Sequence, residues 1–147
     1  MKIGIANDHH GIELKARIID YLRKHDIKYI NYGCDEKNNV DYIDYAVRLS
    51  HAVVNGSVDL GILICGTGIG MSIAANKVKG IICGHCSNVE QAHLTREHNH
   101  ANIIAISYKQ PVPEIVEMIR EFLKTEPSKE ERHNRRVNKI LDYEKAR

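Results

Sequence analysis

Cys65 heads the stretch Cys65-Gly66-Thr67-Gly68-Ile69-Gly70, directly after the apolar run Leu60–Ile64. A cysteine closing a strand often serves only as a small buried hydrophobe. A thiol just ahead of a glycine-rich helix entry also meets the positive end of the helix dipole, which favours the thiolate. A thiolate beside several backbone N–H groups is a base or nucleophile next to an oxyanion hole. The glycines themselves do not spell a nucleotide loop. A dinucleotide fingerprint wants a glycine where Met71 stands, and it belongs in the first strand-helix turn, which here reads Ala6-Asn7-Asp8-His9-His10. No Gly-Lys-Ser/Thr ending marks a P-loop, so the anion these N–H groups suit need not be a phosphate.

Cys83-Gly84-His85-Cys86 matches a dithiol redox motif and is the main rival. It follows the fourth strand, whereas thioredoxin-like domains carry theirs after an early one. Metal binding is not expected. His9-His10, Cys83-His85-Cys86 and His98-His100 are separate short clusters without structural-zinc spacing. In Arg132-His133-Asn134-Arg135-Arg136, Arg132 and Arg136 are four apart and share a helix face. Such a run is commonly a solvated face, but two arginines also form a fork for a phosphate. A phosphate handle, a thiolate base and an oxyanion hole together point to a phosphorylated carbonyl compound.

Short β-rich runs alternate with helical patterns and place these groups. Strands are expected at Lys2–Ala6, Ile27–Tyr32, Val58–Ile64, Gly80–Cys83 and Ala101–Ser107. Helices are expected at Gly11–Asp26, Tyr42–Asn55, Gly70–Val78, Ser87–His98 and Val112–Lys124, with Asn38–Asp41 as a polar loop. The order predicts a five-stranded, parallel, doubly wound sheet with helices on both faces. From Ser128 onward, seven basic and four acidic residues surround an apolar stripe of Val137, Ile140 and Leu141, which reads as a projecting amphipathic helix. In such sheets ligands bind outside the carboxyl ends of the strands. Asp8, His9, Cys65 and the glycine loop gather on that edge.

The 147 residues make one domain, with 43% hydrophobic and 27% charged residues. A formal charge of +2 is too small to argue for nucleic acid or a membrane surface. No signal-peptide core or membrane helix is visible, and the four cysteines read as free thiols of a reducing cytoplasm.

Four ordered segments, Asn7-Asp8-His9, Ile64–Val78, Arg96–Asn102 and Arg132–Ile140, resemble the B type of ribose-5-phosphate isomerase and its superfamily, which includes the galactose-6-phosphate isomerase subunits. The resemblance runs essentially end to end. It implies a Rossmann-like three-layer α/β/α fold over 1–147 and a dimer or tetramer with active sites at the subunit interface. It implies aldose-ketose isomerisation through a cis-enediolate without cofactor or metal. Cys65 would move the proton between C1 and C2, and Gly66, Thr67, Gly68, Ile69 and Gly70 would offer N–H groups to the enediolate oxygen. Asp8 would hold sugar hydroxyls or the ring oxygen. His98 would assist ring opening beside Asn99, and His9, Arg132 and Arg136 would hold the phosphate.

Relatives that use a glutamate just past the last loop glycine lack the cysteine. Met71 occupies that position, so this chain is of the cysteine type. His100 stands where the family often has aspartate, Ser107-Tyr108-Lys109 where it has glycine-arginine, and Glu130-Glu131 where Gly-Gly is common. These departures keep a six-carbon substrate, such as allose 6-phosphate or galactose 6-phosphate, open beside ribose 5-phosphate. A dithiol oxidoreductase and a nucleotide-binding regulatory module are the readings from other classes.

Overall fold

The computed structural model describes residues Met1–Arg147. Five parallel strands form one sheet: β1 (Lys2–Asn7), β2 (Lys28–Asn31), β3 (Leu60–Cys65), β4 (Cys83–His85) and β5 (Ile103–Ser107). Their spatial order is β2-β1-β3-β5-β4. The helices are α1 (Ile12–Lys24), α2 (Tyr42–Val54), α3 (Ile69–Asn76), α4 (Val89–Glu97), α5 (Val112–Lys124) and α6 (Glu131–Lys145). No helix is long and apolar enough to cross a membrane.

Strand alternation builds the two cores. Ile3, Ile5, Ile62, Ile64, Ile104 and Ile106 face a cluster with Leu14, Ile18, Ile115 and Phe122, under α1, α4 and α5. Ala6, Leu63, Cys65, Ile103 and Ala105 face the other cluster, with Leu49, Met71 and Ala75 from α2 and α3. Central strands buried on both faces account for the near-continuous apolar runs. The expected three-layer α/β/α architecture is what the chain adopts.

Most boundaries shift by a residue or two, but β4 moves further. The expectation was Gly80–Cys83, and the ladder instead spans Cys83–His85, with Cys83 opposite Ile103. Gly80 takes φ of 92° and the Ile82 N–H donates to the Asn102 side chain, so Gly80–Ile82 form a turn. Asn76 then caps the outer edge of β4, its amide bonding both N–H and C=O of Cys83. The helix α4 starts later than expected, at Val89, because Asn88 accepts from the Gln91 N–H and sets the N-cap.

The last helix is amphipathic only in its first half. His133 and Val137 are buried, whereas Ile140 of the expected apolar stripe is exposed. The far end touches the body where Glu144 accepts from the Gly80 N–H.

Candidate active site

Strand order reverses between β1 and β3, and the two carboxyl ends meet there. Asn7 lies opposite Ile64, and the Asp8 N–H donates to the Ile64 carbonyl at 3.1 Å. A crevice opens at such a switch point because the chain leaves neighbouring strands toward opposite faces. It receives Asp8 and His9 from one strand and Cys65 through Gly70 from the other.

Cys65 is the last residue of β3 and is buried against α3. Its sulfur accepts from the Gly68 N–H at 3.1 Å. Gly68 takes φ of 82°, and a Cβ there would stand 2.9 Å from the Ile106 carbonyl carbon. Both facts demand glycine at this one position of the loop. Of the five N–H groups expected to meet an oxyanion, those of Gly66, Thr67 and Gly70 have no partner within the chain. The Gly68 N–H is aimed at sulfur and the Ile69 N–H donates to Thr67 Oγ1 at 3.1 Å.

Neighbouring side chains hold this loop by its carbonyls. Ser107 Oγ donates to the Gly66 carbonyl at 2.8 Å, and the Tyr108 N–H donates to that of Cys65. His85 Nε2 lies 2.9 Å from the Thr67 carbonyl, which only accepts, so that nitrogen donates. The third residue of the Cys83–Cys86 motif thus clamps the glycine loop. Its two thiols do not meet in one environment. Cys83 packs in the α2/α3 core and Cys86 in the opposite one, and both are free. Burial pushes the Cys86 thiol up to about 11 and the Cys83 thiol further still. Opposite packing and raised thiols argue against a dithiol redox couple.

Asp8 is buried and twice held by His10, through its N–H at 2.9 Å and through Nδ1 at 3.2 Å. His10 in turn stacks on Tyr108, ring centroids 5.4 Å apart. His9 Nδ1 accepts from the Val40 N–H at 3.2 Å, so a neutral His9 carries its proton on Nε2, free to donate outward. Asp8, His9 and His10 each bring one potential metal-ligating atom within 4.8 Å of the others, although the sequence clusters predicted no metal site. Asp8 and His10 are engaged with each other, and His9 Nδ1 with the backbone. The sequence stretch contained His10, Tyr108, Ser107 and His85 without assigning them. Ser107, His85 and the Tyr108–His10 stack act across long stretches of chain that carry no local pattern, whereas His10 holds Asp8 from two residues away.

The remaining expected residues stand elsewhere. Helix α4 runs back from the carboxyl end of β4 to the amino end of β5, so His98 and Asn99 lie at the opposite sheet edge. The Asn102 carbonyl accepts from the Gly61 N–H at the start of β3, whereas Cys65 at its end faces Ser107. The two edges are one strand apart, about 16 Å. At that far edge His98 stacks on His133 of α6, centroids 4.3 Å apart, and His133 Nδ1 meets Ser128 Oγ at 2.9 Å. Arg132 pairs with Glu130 at 3.0 Å, and Arg136 is exposed without an ion pair. One chain therefore holds two groups of candidate residues, Asp8, His9 and Cys65–Gly70 on one edge and His98, Asn99, Arg132 and Arg136 on the other.

Fold and site describe a doubly wound α/β protein with a thiol and free backbone donors at its switch point. The chain belongs to the ribose/galactose isomerase family, whose model matches residues 3–140. The ribose-5-phosphate isomerase B of Escherichia coli is 38% identical over 146 residues, covering 99% of this chain and 98% of that one. The solved structure of Clostridium thermocellum ribose-5-phosphate isomerase B superposes with a TM-score of 0.96 at 43% identity, covering 99% of each chain. That of the Mycoplasma genitalium enzyme with bound ribulose-5-phosphate gives 0.93 at 38% identity, covering 99% of this chain and 97% of that one. The family resemblance read from the four motifs is borne out.

Proposed function

We propose that this protein interconverts ribose 5-phosphate and ribulose 5-phosphate through a cis-enediolate, with Cys65 as the base. The observation that carries the reading is the Cys65 sulfur beside a loop whose Gly66, Thr67 and Gly70 N–H groups are unpartnered. The proton α to a carbonyl is weakly acidic, so a base succeeds only where the developing oxyanion is stabilised in the same step. One preorganised donor is worth roughly 3 kcal/mol. The Gly68 N–H faces the sulfur and suits its anionic form. Proton transfer between adjacent carbons moves electrons only within the substrate and calls for no external electron carrier.

Asp8, fixed by His10, holds sugar hydroxyls. His9 Nε2 and the arginines Arg132 and Arg136 hold the phosphate, and His98 opens the ring with Asn99 beside it. Because these last four lie a strand length from Cys65, the reading requires two copies, each lending its α4–α6 edge to the other's switch point. The surface supports this. Tyr42, Ile43, Ile69 and Ile73 are exposed large apolar residues next to Gly70, with Ile73 57% exposed. Single exposed apolar residues are ordinary, whereas a contiguous group beside a site marks an interface. A homodimer, or a tetramer built from it, satisfies the geometry. Four buried free thiols suit the reducing cytoplasm.

The test is turnover of five- and six-carbon aldose phosphates by the purified protein. Ribose 5-phosphate is expected to give the highest kcat/KM. A higher value for allose 6-phosphate or galactose 6-phosphate reassigns the substrate while leaving the reaction type. Arg136→Ala should chiefly raise KM, because a remote phosphate contact contributes substantially to binding.

A further inference from the structure

Beyond His98, helix α4 carries two titratable side chains, His93 and Glu97, that the roles above leave unused. His93 and Glu97 are four residues apart and share one helix face, with His93 Nε2 2.9 Å from Glu97 Oε2. The other carboxylate oxygen, Oε1, lies 3.3 Å from His98 Nε2. On its far side, His93 Nδ1 is 2.9 Å from Glu121 Oε1 and 3.1 Å from Thr125 Oγ1, both of α5 or its C-cap. A continuous string, Glu121, His93, Glu97, His98, therefore runs from the α5 surface to the histidine assigned to ring opening.

Proton accounting gives the string a direction. Thr125 Oγ1 donates to the Glu121 carbonyl at 2.6 Å, so toward His93 it accepts, and Nδ1 of His93 donates. Burial pushes the Glu121 carboxyl up, but Lys124 and His93 together hold it below the usual carboxylate range, so it is a fixed anion. A bare nitrogen lone pair 3.3 Å from the Glu97 carboxylate would be repelled, which puts the His98 proton on Nε2. The ring plane is set from the other side by His133 at 4.3 Å.

We propose that Glu97 holds His98 in the tautomer whose Nδ1 is the proton acceptor for opening the sugar ring, and that His93, anchored by Glu121, holds Glu97. The proposal rests on the reading of His98 given above. In the step it serves, Nδ1 takes the O1 hydroxyl proton of the furanose and the C1=O1 bond forms. The C1–O4 bond breaks, and O4 keeps the electron pair and takes a proton from a water that receives in turn the proton held on Nδ1, leaving His98 neutral. The open aldose then passes to Cys65 for enolisation. Glu97 and His93 are positioning residues, since neither touches substrate.

Ring opening and enolisation are separable by substrate. Ribose 5-phosphate is a closed furanose, whereas ribulose 5-phosphate, its O5 esterified, has no hydroxyl placed to close a five- or six-membered ring onto C2. Deuterium uptake from D2O at C1 of ribulose 5-phosphate therefore reports enolisation alone, and conversion of ribose 5-phosphate reports both steps. Glu97→Ala is expected to lower kcat on ribose 5-phosphate about tenfold while exchange stays within about twofold of wild type. Glu97→Gln, whose amide oxygen can still face the Nε2–H dipole, should recover most of the loss, and His93→Leu should fall between. His98→Ala should show the same split more deeply, and Cys65→Ala should lose both readouts. Full activity in Glu97→Ala, or an equal loss of both readouts, overturns the proposal while leaving the role of His98 intact. Unchanged ribose 5-phosphate turnover in His98→Ala overturns both together.

Discussion

The Gly68 N–H points at the Cys65 sulfur from 3.1 Å, and Gly68 reaches that position only with φ of 82°. Cys65→Ala should lower kcat on ribose 5-phosphate by about 10³-fold, in the range of positioned acid-base groups, with the melting temperature nearly unchanged. Gly68→Ala should cost about 1–3 kcal/mol of stability by urea titration, since its Cβ meets Ile106 backbone and its φ is disfavoured. A wild-type rate in Cys65→Ala would remove the thiol from the mechanism.

Cys65 and His98 stand at opposite sheet edges, so two individually inactive variants should complement each other. Co-refolding Cys65→Ala with His98→Ala in equal amounts gives about half mixed dimers, each with one intact site, and recovers about a quarter of wild-type activity. No recovery would mean that a single chain builds the whole site.

His133 sits on the buried face of α6. Burial, with His98 and Arg132 adding to it, holds this imidazole below the ordinary value of 6.5. The unfolded chain then binds the proton more readily than the folded one. The contribution is fully present above about pH 6.5 and lost as pH falls through the lower folded value. Melting temperatures between pH 8 and pH 5 should decline more steeply for wild type than for His133→Gln. Parallel curves would assign the decline to other groups.

Lys15 is 3% exposed, and its Nζ donates to the Cys34 carbonyl at 2.7 Å and to Asp35 Oδ1 at 2.5 Å. The same Cys34 carbonyl accepts from Asn7, next to Asp8. Lys15→Met should cost about 1–3 kcal/mol in urea and raise KM by loosening the chain that leads to Val40 and His9. A variant as stable as wild type would show that the buried amine is dispensable.

Cys83 and Cys86 occupy opposite cores with their thiols pushed up by burial. In native protein at pH 7.5 both should resist alkylation, and Cys83→Ser/Cys86→Ser should retain isomerase activity if it folds. Rapid modification of either, with loss of activity in the double variant, would return the motif to consideration.

Much of the positioning was legible in the chain because it obeys local rules. Alternation and period place the strands and helices, and Cys65 at a glycine-rich helix entry points to the proposed chemistry. The β4 boundary escaped because Gly80–Ile82 are tied by Asn102, twenty residues and more away, rather than by a strand pattern. Ser107 and His85 escaped for the same reason, since each acts through one long-range bond.

Residue types and strand-helix order are written along the chain, and together they specify the sheet, the loop and the donors of the switch point. Which of those residues share an edge is set by the folded arrangement alone. Each α-helix that follows a strand carries the chain back across the sheet, so His98 and the α6 arginines arrive about a strand length from Cys65. Motif spacing along a chain records no such reversal.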